Sequence, residues 1–258
     1  MNGLSGTQLS LTERKAVFYE MLKEIDKACN ERGLKYFLSY GTLLGAIRHK
    51  GFIPWDDDMD IMMPYQDFLK LANSYHSERY SIVWCGNNKE TPFAFARMYD
   101  NRTYDKIGKF HGLGIGVDLY LIMGVPDSKA AQEKLIKKLN RVISIRIFLM
   151  RLRSFLAHRN LWPFKNLDFR LLNKACIKEV KLFEPDYTKV KFAHILAGET
   201  QLVESKFLID TINVPFEDGM FSVPRDYDKL LRHWYGNYMQ LPPEEKRVPY
   251  HGGLMYWK

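Results

Sequence analysis

The sequence of 258 residues contains little cysteine and no long apolar run. Its three cysteines, Cys29, Cys85 and Cys176, lie far apart and form neither a CxxC pair nor the spacing of a disulfide framework. No segment offers about 18 consecutive apolar residues, and no apolar stretch follows a basic N-terminus. These absences argue against a cysteine-based zinc site, a disulfide-rich secreted domain and a membrane-spanning chain. We expect a cytoplasmic protein.

The composition favours a packed globular chain with a polyanionic partner. Hydrophobic residues make up 46% of the sequence and aromatic residues 14%, which is ample for a core. The formal charge is +8, from 38 basic and 30 acidic residues. Nucleic acid, anionic lipid and a phosphorylated substrate all fit this charge, and the sign alone does not choose among them.

Hydrophobic periodicity predicts a mixed α/β fold. An S-x-x-E capping box at Ser10 and Glu13 opens an amphipathic helix, and "KYFLSY" then reads as a strand. A short helix after Gly41 leads to a second strand, "MDIMMP", a helix and three further strands. From 128 to about 182 the pattern is helical, and a helix "YDKLLRHWYG" precedes a coil-like tail.

Four aspartates lie within five positions and run directly into an apolar segment, in "PWDDDMDIMMP". Alternation along a strand predicts that Asp58 and Asp60 project to the same side. Asp118, in "GIGVDLYLI", is also embedded in an apolar strand, where a charge is costly without a metal or a partner. Mg²⁺ takes such oxygen ligands and completes its shell with substrate phosphates. The alternative is an acidic turn that caps a helix.

Residues just before the aspartates favour an anion next to this metal. Gly41 and Thr42 precede a short helix, whose N-terminal N–H groups can hold a phosphate. Arg48 and Lys50 offer cations to a polyphosphate leaving group. The segment therefore predicts a site for an anion plus a metal.

The segment "YFLSYGTLLGAIRHKGFIPWDDDMDIMMP" resembles the signature of the LicD family, which comprises phosphocholine transferases and fukutin-related enzymes of the nucleotidyltransferase superfamily. Later segments resemble the family in the same order, so the similarity spans Lys35 to His251. The resemblance implies an α+β fold: a nucleotidyltransferase-like core with a short mixed sheet flanked by helices, plus a helical insertion. We expect one domain over 1–258, with its core in 10–127 and 200–258 and the insertion in 128–199.

The resemblance also implies roles for individual residues. Asp58, Asp60 and Asp118 are the expected catalytic triad and ligands of Mg²⁺, with Mn²⁺ as an alternative ion. Asp56 matches the first aspartate of the family motif, and either binds a second metal or orders the loop. Asp57 stands at a position that varies in the family, and we assign it no role.

The implied reaction transfers phosphocholine, or a related alcohol phosphate, from CDP-choline or another CDP-alcohol to a sugar of a lipid-linked glycan precursor, such as teichoic acid or lipopolysaccharide. Asp118 would accept the proton of the sugar hydroxyl, and CMP would leave. The candidate donor and phosphate contacts, for which a solvated surface charge is the alternative, are Gly41, Thr42, Arg48, Lys50, Arg97, Lys246, Arg247 and His251. A choline group would require an aromatic cage, for which the available rings are Trp55, Tyr65, Tyr99, Tyr104, Tyr120, Trp234 and Tyr238.

Three alternatives stay open at this point. Nucleotidyl transfer to a small hydroxylated acceptor would release pyrophosphate instead of CMP. A nucleic-acid-binding module would explain the charge but not the aspartates, so we expect no specific nucleic-acid partner. The basic helix 133–159 either lies on the inner face of a membrane as a peripheral contact, or packs on the core with its basic residues in water.

Overall fold

The fold is organised around one long strand, β6 (Gly116–Val125), which is hydrogen-bonded to three other strands. The computed structural model of the protein describes residues 6–88, 91, 93–105, 113–158, 165–196, 200–249 and 254–258. The other strands are β1 (Phe37–Leu38), β2 (Asp60–Pro64), β3 (Tyr80–Val83), β4 (Ala96–Asp100), β5 (Thr103–Asp105), β7 (Phe192–Leu196), β8 (Thr200–Glu204), β9 (Thr211–Phe216), β10 (Gly219–Pro224) and β11 (Met255–Trp257). The helices are α1 (Leu11–Arg32), α2 (Tyr40–Arg48), α3 (Tyr65–Ser74), α4 (Lys129–His158), α5 (Lys165–Val180) and α6 (Tyr227–Tyr235).

The two halves of β6 have different neighbours. Its first half pairs in parallel with β2 and antiparallel with β4, and its second half pairs with β7. The main sheet runs in the order β1-β2-β6-β4-β3, and β7 and β8 extend it from the far end of β6. The pairs β9–β10 and β5–β11 form two small sheets beside it. The prediction of a mixed α/β fold is confirmed.

The core forms where α1 packs on the sheet. Ser10 caps α1 through the predicted capping box, in which its hydroxyl accepts the Glu13 N–H at 3.2 Å. Met21, Leu22 and Ile25, spaced at one turn of the helix, are fully buried. The cap stabilises the start of α1, and the buried apolar stripe packs the helix against one face of the sheet.

Two predictions at the ends of elements are wrong. Asp58 does not lie on a strand, because β2 begins at Asp60, whose N–H donates to the Thr42 hydroxyl rather than to a neighbouring strand. The tail is not coil throughout, because β11 pairs with β5. The proposed division into a core and an insertion stays a prediction.

Helices α4 and α5 pack against each other around one buried ion pair. The Arg146 guanidinium donates to the Glu179 carboxylate at 3.1 Å, and both side chains are less than one tenth exposed. Asn173, on α5, donates to the carbonyls of Cys85 and Asn88 at 2.7 and 3.1 Å, which ties the helix pair to the loop after β3. The pair of helices is thus attached rigidly to the sheet. Within the part of the chain described above, no helix has the length and apolarity to cross a membrane.

We predict that Arg146→Met destabilises the protein by about 3 kcal/mol, because it leaves the Glu179 carboxylate buried without its partner. Urea unfolding followed by circular dichroism measures this free energy. The double variant Arg146→Met/Glu179→Leu should recover most of the loss, since an apolar pair can replace a buried ion pair. Lys206→Ala is the control, because its ion pair with Glu204 is exposed and should contribute less than about 1 kcal/mol. Equal effects of Arg146→Met and Lys206→Ala would contradict the prediction.

Candidate active site

The register of three neighbouring strands places the predicted catalytic residues side by side. Asp60 on β2 is opposite Asp118 on β6, and Asp118 is opposite Arg97 on β4. Register partners in a sheet project from the same face. One sheet face therefore carries a carboxylate, a second carboxylate and a guanidinium in a row.

Asp60 is buried among other carboxylates. It is 6% exposed, its backbone N–H donates to the Thr42 hydroxyl at 2.9 Å, and its Oδ1 has no hydrogen-bond partner among the described residues. Burial, followed by the charges of Asp58, Asp118 and Asp56, raises its pKa well above the usual value. A buried carboxylate oxygen in such an environment favours a bound cation.

Asp56 and Asp58 interact with each other in the loop before β2. Burial and the neighbouring Asp58 raise the pKa of Asp56 to about 7. The Asp56 carboxylate also lies against Gly41, where an added Cβ would come within 2.7 Å of Oδ2. The glycine is therefore required for the close approach of this loop to the first turn of α2.

Asp118 is paired on both sides. The Arg97 guanidinium forms an ion pair with it, and the Tyr120 hydroxyl donates to its Oδ2 at 3.3 Å. Burial raises the pKa of Asp118, and the Arg97 charge acts in the opposite direction. Arg97 in turn lies over the rings of Phe93 and Tyr99, at 5.9 and 5.6 Å from their centroids.

A cavity of about 360 Å³ opens beside Arg97 and Asp118, two members of this row. Its charged lining residues are Arg14, Asp57, Asp58, Arg97, Asp105 and Asp118, and its aromatic ones are Phe18, Phe93, Phe95 and Tyr120. Met150 of α4 and Met255 of β11 complete the wall. Asp57, to which no role was assigned, is buried 3.9 Å from Arg14. The cavity thus combines carboxylates, cations and aromatic rings in one enclosed space.

The carboxylates fit a divalent ion that brings part of its own coordination shell. Among the residues that the structure describes, no three Asp, Glu, His or Cys side chains are grouped closely enough to bind a metal by themselves. Mg²⁺ is commonly held by one or two carboxylates together with water and substrate phosphates. Asp58 and Asp60, with the unpaired Oδ1 of Asp60, suit that kind of site. Asp118 already has Arg97 as its counter-ion.

The other predicted donor contacts have structural partners. Arg48 donates to the Tyr238 carbonyl at 2.7 Å, and Lys50 donates to the Ile47 carbonyl at the end of α2. Lys246 is exposed, whereas Arg247 lies over the Trp55 ring at 5.7 Å, next to the aspartate loop. His251 lies outside the described residues. Of the predicted cations, Arg97 alone is among the cavity residues named above.

Two tyrosines near the carboxylates escaped the sequence analysis. Desolvation, followed by the charges of Asp60, Asp56 and Asp58, raises the pKa of Tyr235, a residue at the end of α6 that is 43% exposed. Tyr40 has a φ of 40°, a strained value for a residue with a side chain, and its ring contacts Tyr120 and Trp234 at centroid distances of 5.3 and 4.5 Å. Both depend on the packing of α6 against α2, which leaves no local signal in the sequence.

Comparison with known proteins agrees with this geometry. Residues 33–120 match the family model described as LicD/FKTN/FKRP, nucleotidyltransferase domain. The lipopolysaccharide cholinephosphotransferase LicD of Haemophilus influenzae is 28% identical, with 95% of this chain and 97% of that protein covered. Uncharacterized proteins of Rickettsia typhi and Rickettsia prowazekii are 41% and 39% identical, over 35% and 24% of this chain and 32% and 23% of their own lengths. Together, the family-model match and the full-length relative confirm the resemblance to the LicD family that the motif predicts.

Proposed function

We propose that the protein transfers phosphocholine from CDP-choline to a hydroxyl of a cell-surface glycan precursor, with release of CMP. The observation that carries the proposal is the cavity, in which carboxylates, the Arg97–Asp118 pair and aromatic rings share one space. The full-length similarity to a lipopolysaccharide cholinephosphotransferase supports the same reaction. A lipid-linked acceptor, of the lipopolysaccharide or the teichoic acid type, fits this proposal.

Asp58 and Asp60 are the residues that would hold Mg²⁺, or Mn²⁺ in its place. When bound there, the ion would neutralise charge on the donor diphosphate. Thr42 fixes the start of β2 through the Asp60 N–H, and Gly41 admits the Asp56 carboxylate. These two residues therefore position the carboxylates.

Asp118 accepts the proton of the attacking hydroxyl in this proposal. The hydroxyl oxygen forms a bond to the phosphorus of phosphocholine, the bond from that phosphorus to the bridging oxygen of CMP breaks, and CMP leaves with the bond electrons. Arg97 favours the ionised form of Asp118, because its charge opposes the rise in pKa that burial causes. Tyr120 fixes the carboxylate orientation through its hydroxyl.

Aromatic rings on the cavity wall suit the trimethylammonium group of choline. Phe95 contacts Phe93 and Tyr120 at centroid distances of 4.9 and 5.1 Å, and all three residues line the cavity. A quaternary ammonium cannot accept or donate a conventional hydrogen bond, and ring faces attract it through their quadrupoles. This wall supports choline, rather than a neutral alcohol such as glycerol or ribitol, as the alcohol of the donor.

We predict that Mg²⁺ and CDP-choline together raise the melting temperature of the wild type, and that Asp58→Asn/Asp60→Asn abolishes this shift. A ligand that binds only the native state stabilises it, by about 2.7 kcal/mol at a hundredfold excess over Kd. Differential scanning fluorimetry with CDP-choline, CDP-ethanolamine, CDP-glycerol, CDP-ribitol, CTP and ATP measures the effect. Asp226→Asn, on an exposed ion pair, is the control variant. Stabilisation by nucleoside triphosphates alone, with pyrophosphate as product, would support nucleotidyl transfer instead.

We predict that Asp60→Asn, one half of this double variant, stabilises the protein when no metal is bound. Removing charge from a buried carboxylate among like charges relieves both burial and repulsion, so Asp60→Asn alone should raise the free energy of unfolding by about 1 kcal/mol. Urea unfolding in EDTA at neutral pH measures this gain, again beside Asp226→Asn. A loss of stability in Asp60→Asn would show that the carboxylate is held by other protein groups.

We predict that Phe95→Leu raises KM for CDP-choline about tenfold, with a smaller change for CDP-glycerol, because the loss of a ring face affects a cation more than a neutral alcohol. Steady-state assay of CMP release with both donors measures the ratio. Phe221→Leu is a matched control, since Phe221 is equally buried in the β9–β10 sheet and does not line the cavity. An equal rise in KM for both donors would place the choline group elsewhere.

A further inference from the structure

Helix α4 presents two different faces. Its inner face buries Leu135, Leu139, Val142 and Leu149, so the prediction of a helix packed on the core is correct for this face. Met150, on the same side, lines the cavity that holds Asp58 and Asp118. The helix is thus a wall of the candidate active site.

The opposite face of α4 leaves large apolar side chains in water. Phe148 is 64% exposed, Ile145 46% and Leu152 38%, and these residues follow one another at spacings of three and four along one side of the helix. Single exposed apolar residues are ordinary, whereas a row of them on one helix face marks a binding surface. We call Ile145, Phe148 and Leu152 the apolar row.

Basic residues surround the apolar row. Helix α4 contains eight Lys or Arg residues and one acidic residue, Glu133. Lys134, Lys137, Lys138, Arg141 and Arg151 are exposed. A second copy of the chain would bring the same positive charges against this face and would be repelled. An anionic surface is attracted by the basic residues and can take up the aromatic and aliphatic side chains.

We propose that the outer face of α4 binds the surface of an anionic lipid bilayer, with the apolar row inserted at the headgroup level and the basic residues on lipid phosphates. The Arg146–Glu179 ion pair and the Asn173 hydrogen bonds attach α4 and α5 to the domain, so the bound helix carries the whole domain with it. Because Met150 lines the cavity from the other side of α4, the bilayer lies one helix diameter from the site. If the proposed function holds, a lipid-linked acceptor meets the cavity without leaving the membrane.

Vesicle co-sedimentation tests the proposal without donor or acceptor, so its outcome is independent of the proposed function. The wild type should bind vesicles of phosphatidylglycerol mixed with phosphatidylcholine, bind phosphatidylcholine alone weakly, and lose affinity as salt rises. Lys137→Gln/Lys138→Gln/Arg141→Gln should weaken binding about a hundredfold. Phe148→Ser/Leu152→Ser should weaken it about tenfold at constant charge.

Two control variants test whether binding depends on this surface, or only on the net charge or on any exposed apolar side chain. Lys27→Gln/Lys70→Gln/Lys189→Gln removes the same charge from exposed positions elsewhere, and Met220→Ser removes an exposed apolar side chain on β10. Both controls should bind like the wild type, and circular dichroism should show all variants folded. The proposal is overturned if the controls lose as much affinity as the α4 variants, or if anionic vesicles do not bind. It is also overturned if sedimentation velocity shows a wild-type dimer that Phe148→Ser/Leu152→Ser dissociates.

Discussion

The parallel register between β2 and β6 is the constraint on which the site depends. It places Asp60 beside Asp118, two carboxylates in a largely buried setting, and the antiparallel pairing with β4 adds Arg97 to the row. Each carboxylate needs a counter-charge there. Arg97 supplies one for Asp118, and Asp60 keeps an oxygen without a partner among the described residues. The strand register thus buries the Asp60 carboxylate without a cationic partner among the described residues, and the proposed metal ion would supply the positive charge.

The elements around this row hold it in place through contacts that have little to do with charge. Thr42 receives the Asp60 N–H, Gly41 admits the Asp56 carboxylate, and Arg48 at the other end of α2 holds the Tyr238 carbonyl beyond α6. Helix α2 therefore connects the aspartate loop with the segment after α6. This helix has only nine residues, and residues at both of its ends make these contacts.

The sequence predicted what local patterns encode. The capping box of α1 is visible as the spacing of Ser10 and Glu13, and the strands at Asp60 and Asp118 are visible as short apolar segments. The family motif marked the aspartates. The sequence did not reveal contacts between distant segments. The start of β2 was misplaced because the Thr42 hydroxyl, rather than a neighbouring strand, accepts the Asp60 N–H, and β11 was missed because its partner β5 lies far away in the chain. The hydrogen bond from Arg48 to the Tyr238 carbonyl was not visible in the sequence for the same reason.

The pairing of β11 with β5 has a consequence for how the site comes into being. Residues 33–120, which match the family model, contain all of the aspartates of the candidate site, yet Met150 and Met255 line the cavity from segments beyond that range. Leu9 and Trp257 join the two ends of the described chain, through hydrogen bonds of 2.8 Å to the Met255 carbonyl and 3.0 Å to the Thr7 carbonyl. During synthesis the aspartates emerge before Met150 and Met255, so the cavity is incomplete until β11 has been made. The complete cavity therefore forms later in synthesis than the motif that contains its aspartates.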